Sequence, residues 1–194
     1  MNLEEQLPTL VRNGQLEKAI QLIEQDLAKY QSTDFPKMIG KDLLHQVEAM
    51  ETCLVSCISK LTSEIHLEAV YLEINGFSTN YDLWYLDLFG FDLIGTMDDL
   101  EWLADWSDEN AFLQTFTIKG LEDIQTIYQT HHENGMYQYD DHGDAADTCD
   151  YAIILRLQQL VKAAVQKGKA KNSQWASVPI LVGAHDYELV YRIN

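Results

Sequence analysis

The sequence predicts an α+β fold: an N-terminal helical hairpin and a long helix, packed with a mainly antiparallel sheet of about five strands and two or three further helices. Three observations carry this reading. Apolar residues recur at three- and four-residue steps through the first third of the chain. Near Glu68 the period drops to two, the signature of a half-buried strand. Beyond that point, short alternating segments follow one another with short connections, as antiparallel strands do.

Taken in order, the first element is a pair of helices broken at Asn13-Gly14, with Leu16, Ala19, Ile20, Ile23 and Leu27 drawing one stripe along the second. This stretch resembles one tetratricopeptide hairpin, because Gly14, Leu16, Ala19, Ile20 and Leu27 fall where that repeat places small and apolar residues. The resemblance covers one repeat, with no second copy, and a stack needs several. It implies a hairpin scaffold on which a partner would bind. The next helix carries Leu43, Val47, Met50, Leu54, Ile58, Leu61 and Ile65, with a start near Thr33-Asp34 and an end near Glu64.

Strands are expected over 70–76, within YDLWYLDLFGF, over 112–118 and over 187–193, the last paired through a tight turn near His185-Asp186. A short helix is expected in LEWLADW and a longer one in KGLEDIQTIYQTHH. The segment HENGMYQYDDHGD reads as a loop. A strong helix then runs from Asp144 to about Lys167, its acids leading and its lysines trailing, in the order the helix dipole favours. The 194 residues suit a single α+β domain over 1–194, with a helical part at 1–66 and a sheet-containing part at 67–194.

Charge narrows the function classes. Thirty-one acids against thirteen bases give −18. Residues 61–155 hold twenty acids and a single base, Lys119, whereas the flanks nearly balance. Such a surface repels phosphates and anionic lipid, so neither nucleic acid nor a membrane is expected as a partner, and a basic protein is. Three cysteines and no secretory leader pattern fit a cytoplasmic protein. No cofactor-binding motif is present, and the sequence leaves the oligomeric state open.

The acids of the middle segment are interleaved with aromatics. Trp84, Asp87, Asp98, Asp99, Glu101, Trp102, Asp105 and Trp106 are therefore the expected docking residues, aromatics anchoring and acids steering. The expected function is a non-enzymatic, acidic protein-binding protein. In class, though not in motif, it is similar to bacterial immunity proteins and inhibitors of basic nucleases. A rival reading is a cysteine hydrolase, with Cys149 in the first turns of a helix as nucleophile and His185 as base. Asp147 and Asp150 oppose it, since nearby carboxylates raise a thiol pKa. His131, His132, Asp140, Asp141, His142 and Asp144 form the densest group of possible metal ligands, without the spacing of a known ion loop. Cys53 and Cys57 lie on the apolar side of their helix and read as core thiols.

Overall fold

The computed structural model describes residues 3–75, 77, 80–104 and 114–194. Among these residues five helices, α1 (Leu3–Arg12), α2 (Leu16–Leu27), α3 (Val47–Glu64), α4 (Glu122–Glu133) and α5 (Asp140–Ala170), accompany five strands. The strands are β1 (Ala69–Asn75), β2 (Tyr85–Phe91), β3 (Gln114–Thr117), β4 (Ile180–Ala184) and β5 (Tyr191–Arg192). The α+β class and the mainly antiparallel sheet are as the sequence predicts.

Gly14 closes α1 at φ 69°, a left-handed conformation that glycine adopts without a Cβ penalty. Its N–H donates to the Val11 carbonyl, and the Gln15 N–H donates to that of Leu10. The apolar stripe of α2 is fully sequestered, and α2 packs along α5. The face that a tetratricopeptide hairpin offers to the next repeat is thus spent on the chain's own core.

Two helix starts differ from expectation. Residues 28–46 form turns and two short 3-10 segments (Phe35–Met38 and Leu44–Gln46), so α3 begins at Val47 rather than near Asp34. Gly40 at φ 77° breaks the helical path. Gln46 is drawn off to the backbone of Lys119, accepting from its N–H and donating to its carbonyl. Leu43 is buried from a turn and so extends the apolar period without extending the helix. At α5 the error runs the other way. The helix begins at Asp140, one turn before Asp144, and Asp140 and Asp141 occupy its first turn, where the dipole favours them. The carboxylates that read as a loop are the helix start.

The sheet order is β3-β2-β1-β4-β5. Three of its pairings are antiparallel, and β1 with β4 is parallel. Alternation sorts the side chains onto two faces. Val70, Leu72, Ile74, Trp84, Leu86, Leu88, Ile180 and Val182 face the helices and join one buried cluster that runs from Leu7 to Tyr191. Ala69, Tyr71, Phe89, Phe91, Leu181 and Val190 face the other way. The segment 92–104 folds over that second face and packs Ile94, Met97, Leu100, Trp102 and Leu103 against it. Its expected helix is a 3-10 turn, Glu101–Ala104. β5 holds two residues rather than the seven expected, paired as Leu181↔Arg192 and Val182↔Tyr191. Among the described residues, no helix is long and apolar enough to cross a membrane.

Candidate functional site

On the side away from the helices, segment 92–104 packs over the sheet end that carries Phe91 and Ala69, and its last residues meet the turn after β4. There a groove of about 760 Å³ has an apolar floor of Tyr71, Phe89, Leu103 and Val190. Glu73, Glu101, Asp186 and Glu188 stand around it.

Each rim residue has a local reason for its place. Glu73 shares the outer face of β1 with Tyr71 and lies opposite Asp87 of β2. Its carboxylate sits 3.5 Å from Nδ1 of His185. Burial, reinforced by the adjacent Glu73, pushes the Tyr71 hydroxyl pKa well up. Asp186 occupies the turn after β4 at φ 66°, which throws its side chain into water. Glu101 starts the 3-10 turn, its N–H held 3.0 Å from Oδ1 of Asp99. Among the described residues, no lysine or arginine pairs with Asp98, Asp99, Glu101, Asp186 or Glu188.

The expected docking residues divide three ways. Asp98, Asp99 and Glu101 are exposed. Trp102 is part-exposed, set edge-on to Phe91 at 5.2 Å, with Nε1 donating to the Thr96 carbonyl. It is a cover for the sheet as much as an anchor. Trp84 and Asp87 are corrections. Trp84 is 0% exposed, sealed on the helix side of β2 among Phe77 and Tyr128, and cannot touch a partner. Asp87 is buried in mid-sheet on the outer face. Asp105 and Trp106 lie outside the described residues.

The hydrolase pair is not assembled. Cys149 is completely buried, and its thiol pKa is pushed far up, chiefly by that burial. His185 stands exposed on the turn after β4, between Glu73 and Asp186. A sealed thiol with a strongly disfavoured thiolate meets no substrate. Cys53 and Cys57 are buried core thiols, with pKa values raised by burial to about 11 and about 12.

The metal-ligand group is split by the same early start of α5. Asp140, Asp141, His142 and Asp144 ride its first turns rather than a loop. His131 stacks on His142 at 6.1 Å, and burial lowers its pKa. His132 turns away to Tyr81 and Tyr137. Among the described residues, no three histidine, cysteine or acidic side chains come together as a metal site.

Sequence reasoning overlooked Asp150. It is 7% exposed, yet both carboxylate oxygens are engaged: Tyr128 donates to one at 2.5 Å and Tyr187 to the other at 2.6 Å. Burial lifts its pKa to about 7, against the pull of the two hydroxyls. The signal was available, because Asp150 lies three, four and seven residues before Ile153, Ile154 and Leu157, on the apolar stripe of α5. Tyr187 lines the groove on one side of the turn and reaches Asp150 on the other. No family model, no curated protein and no solved structure matches this chain, so the site is characterised by its own geometry.

Proposed function

We propose that this protein is a non-enzymatic binding protein that docks a basic protein partner in the acid-rimmed groove between residues 100–104 and the turn after β4. One observation carries the reading. The groove combines an apolar floor with three exposed carboxylates, Glu101, Asp186 and Glu188, that have no lysine or arginine beside them among the described residues. An apolar side chain flanked by arginine or lysine fits such a surface, the former filling the floor and the latter meeting the rim. A basic toxin or nuclease held inactive by the chain is the partner class that matches. The three free, buried thiols suit a cytoplasmic setting for this encounter.

The test uses a fluorescent peptide of alternating arginine and leucine as probe. Charge reversal by Glu101→Lys with Glu188→Lys is expected to weaken binding about tenfold or more, since each reversed rim charge removes an attraction and adds a repulsion. Asp140→Lys with Asp141→Lys changes the net charge equally at the start of α5 and is expected to have a much smaller effect. Equal losses in the two variants would reduce the binding to net charge and end the proposal.

A further inference from the structure

On the helix side of the sheet, a second cavity of about 280 Å³ opens between α4, the start of α5 and the residues flanking Trp84. Its walls include the rings of Phe77, Tyr81, Tyr128 and Tyr137, and its acids are Asp147 at the mouth and Asp150 at the base. The size lies near the lower end of ligand pockets, which start at about 300 Å³. His132 lies between Tyr81, tilted against it at 5.6 Å, and exposed Tyr137, stacked on it at 5.7 Å. Phe77 stacks on Tyr128 deeper in.

We propose that this cavity is a binding site for an alkylated ammonium group. The argument rests on the match between wall chemistry and ligand charge. Aromatic faces are electron-rich and attract a cation held over them, most strongly when water is excluded. Asp147 and Asp150, one helical turn apart, place negative potential at the cavity once Asp150 is ionised, and no lysine or arginine is among the described lining residues. A hard metal ion is a poor fit, because it demands several oxygen ligands at once. The walls here are mostly carbon, and both Asp150 oxygens already accept tyrosine hydroxyls. A charge-diffuse alkylammonium sheds its water at low cost and asks only for aromatic faces with a counter-charge behind them.

The site also gives Asp150 a use. An isolated buried carboxylate costs several kcal/mol unless it is paired. Two hydroxyls offset part of this, and a bound cation would complete the compensation. The titratable groups facing Asp150 are Tyr128 and the two histidines of α4, Tyr187 after β4, and Asp147 and Cys149 on its own helix. A cation selects the ionised form, so affinity should rise as pH passes upward through about 7.

The experiment compares choline with its uncharged isostere 3,3-dimethyl-1-butanol by titration calorimetry on the full chain at pH 8. Choline is expected to bind at least about tenfold more tightly. Asp150→Asn should erase most of that preference, and Tyr137→Ala, at an exposed ring, should weaken choline severalfold with the melting temperature unchanged. A short peptide bearing trimethyl-lysine distinguishes the sources. Tighter binding of the peptide assigns the group to a protein partner, and parity assigns it to a free small molecule. Equal affinity for choline and the isostere, or no binding of choline at about 50 mM, would overturn the proposal.

Discussion

The helical side and the open sheet side treat acidic residues differently. Where α2 and α3 meet α5, acids are paired. Glu24 binds Arg156 at 2.7 Å, Glu51 binds Lys171 at 2.5 Å and Lys167 at 3.3 Å, and Glu48 also reaches Lys167. On the sheet side, Asp98, Asp99, Glu101, Asp186 and Glu188 meet water with no lysine or arginine beside them among the described residues. The difference teaches that the bases are used to join elements. The acids of segment 98–101 and of the turn after β4 are left without a lysine or arginine, as are Asp140, Asp141 and Asp144 at the start of α5, among the described residues. A charge excess concentrated on an open, partly apolar face is what a docking surface requires, and a scattered one would serve solubility alone.

That contrast can be sharpened by mutation, and the largest effect is expected at a buried acid that departs from it. Asp150 sits on the helical side with hydroxyls instead of a base. Its folded-state pKa, about 7, is raised above its ordinary 3.8, so the folded protein holds the extra proton. Its contribution is therefore fully favourable below about pH 4 and is lost as pH rises through 7, on the order of 2–4 kcal/mol across that window. Denaturant titrations at pH 5 and pH 8 should show the loss, and Asp150→Asn should flatten it. An unchanged slope in the variant would place the pH dependence elsewhere.

Next in size is the buried amide that couples the two sides. Gln158 is 0% exposed and donates from Nε2 to the carbonyls of Val182 and Leu189, tying α5 to the β4–β5 hairpin. Gln158→Leu keeps the bulk and strands both carbonyls, for a loss of about 1–3 kcal/mol in chemical denaturation. Glu51→Gln removes the charge that Lys167 and Lys171 share at the α3–α5 seam and should cost about 1–2 kcal/mol, more at low salt than at high.

On the sheet side, the expected stability changes are small. Reversing Asp98 and Glu101 to lysine should leave stability within about 0.5 kcal/mol, because both residues are exposed. Gly95 is the exception in that segment. A Cβ there would lie 2.3 Å from the Trp102 ring, so Gly95→Ala should displace Trp102. The expected readout is a red-shifted tryptophan emission and weaker docking with the main core intact.

Much of this was legible in the sequence because period and burial agree over long runs. The α2 stripe and the α3 stripe from Val47 each predict both the element and its buried face, and the alternation in β1 predicts the strand, although Ala69 and Tyr71 on its second face are buried as well. Reading failed where one signal had two causes. Leu43 continues the apolar period of α3 from a turn. Asp140 and Asp141 look like loop residues and are helix-start residues. Trp84 and Asp87 sit among acids and aromatics in the sequence, yet strand alternation sends Trp84 inward with Leu86 and Leu88 and puts Asp87 on the face of Phe89 and Phe91. The groove was half legible. Glu101 was marked by its charge, but Glu73, Asp186 and Glu188 reach it only through the parallel pairing of β1 with β4, a contact between residues more than a hundred positions apart. Asp150 needed the pockets of two distant tyrosines to become visible.

The most direct test of the account is a hydrogen-exchange footprint of the protein with and without the arginine–leucine peptide, at low salt and again at about 0.5 M salt, where charge steering is screened. The account predicts slowed exchange confined to residues 98–104 and 184–190, fading at high salt. Protection spread evenly over acidic segments, or centred on the α2–α5 seam, would contradict it.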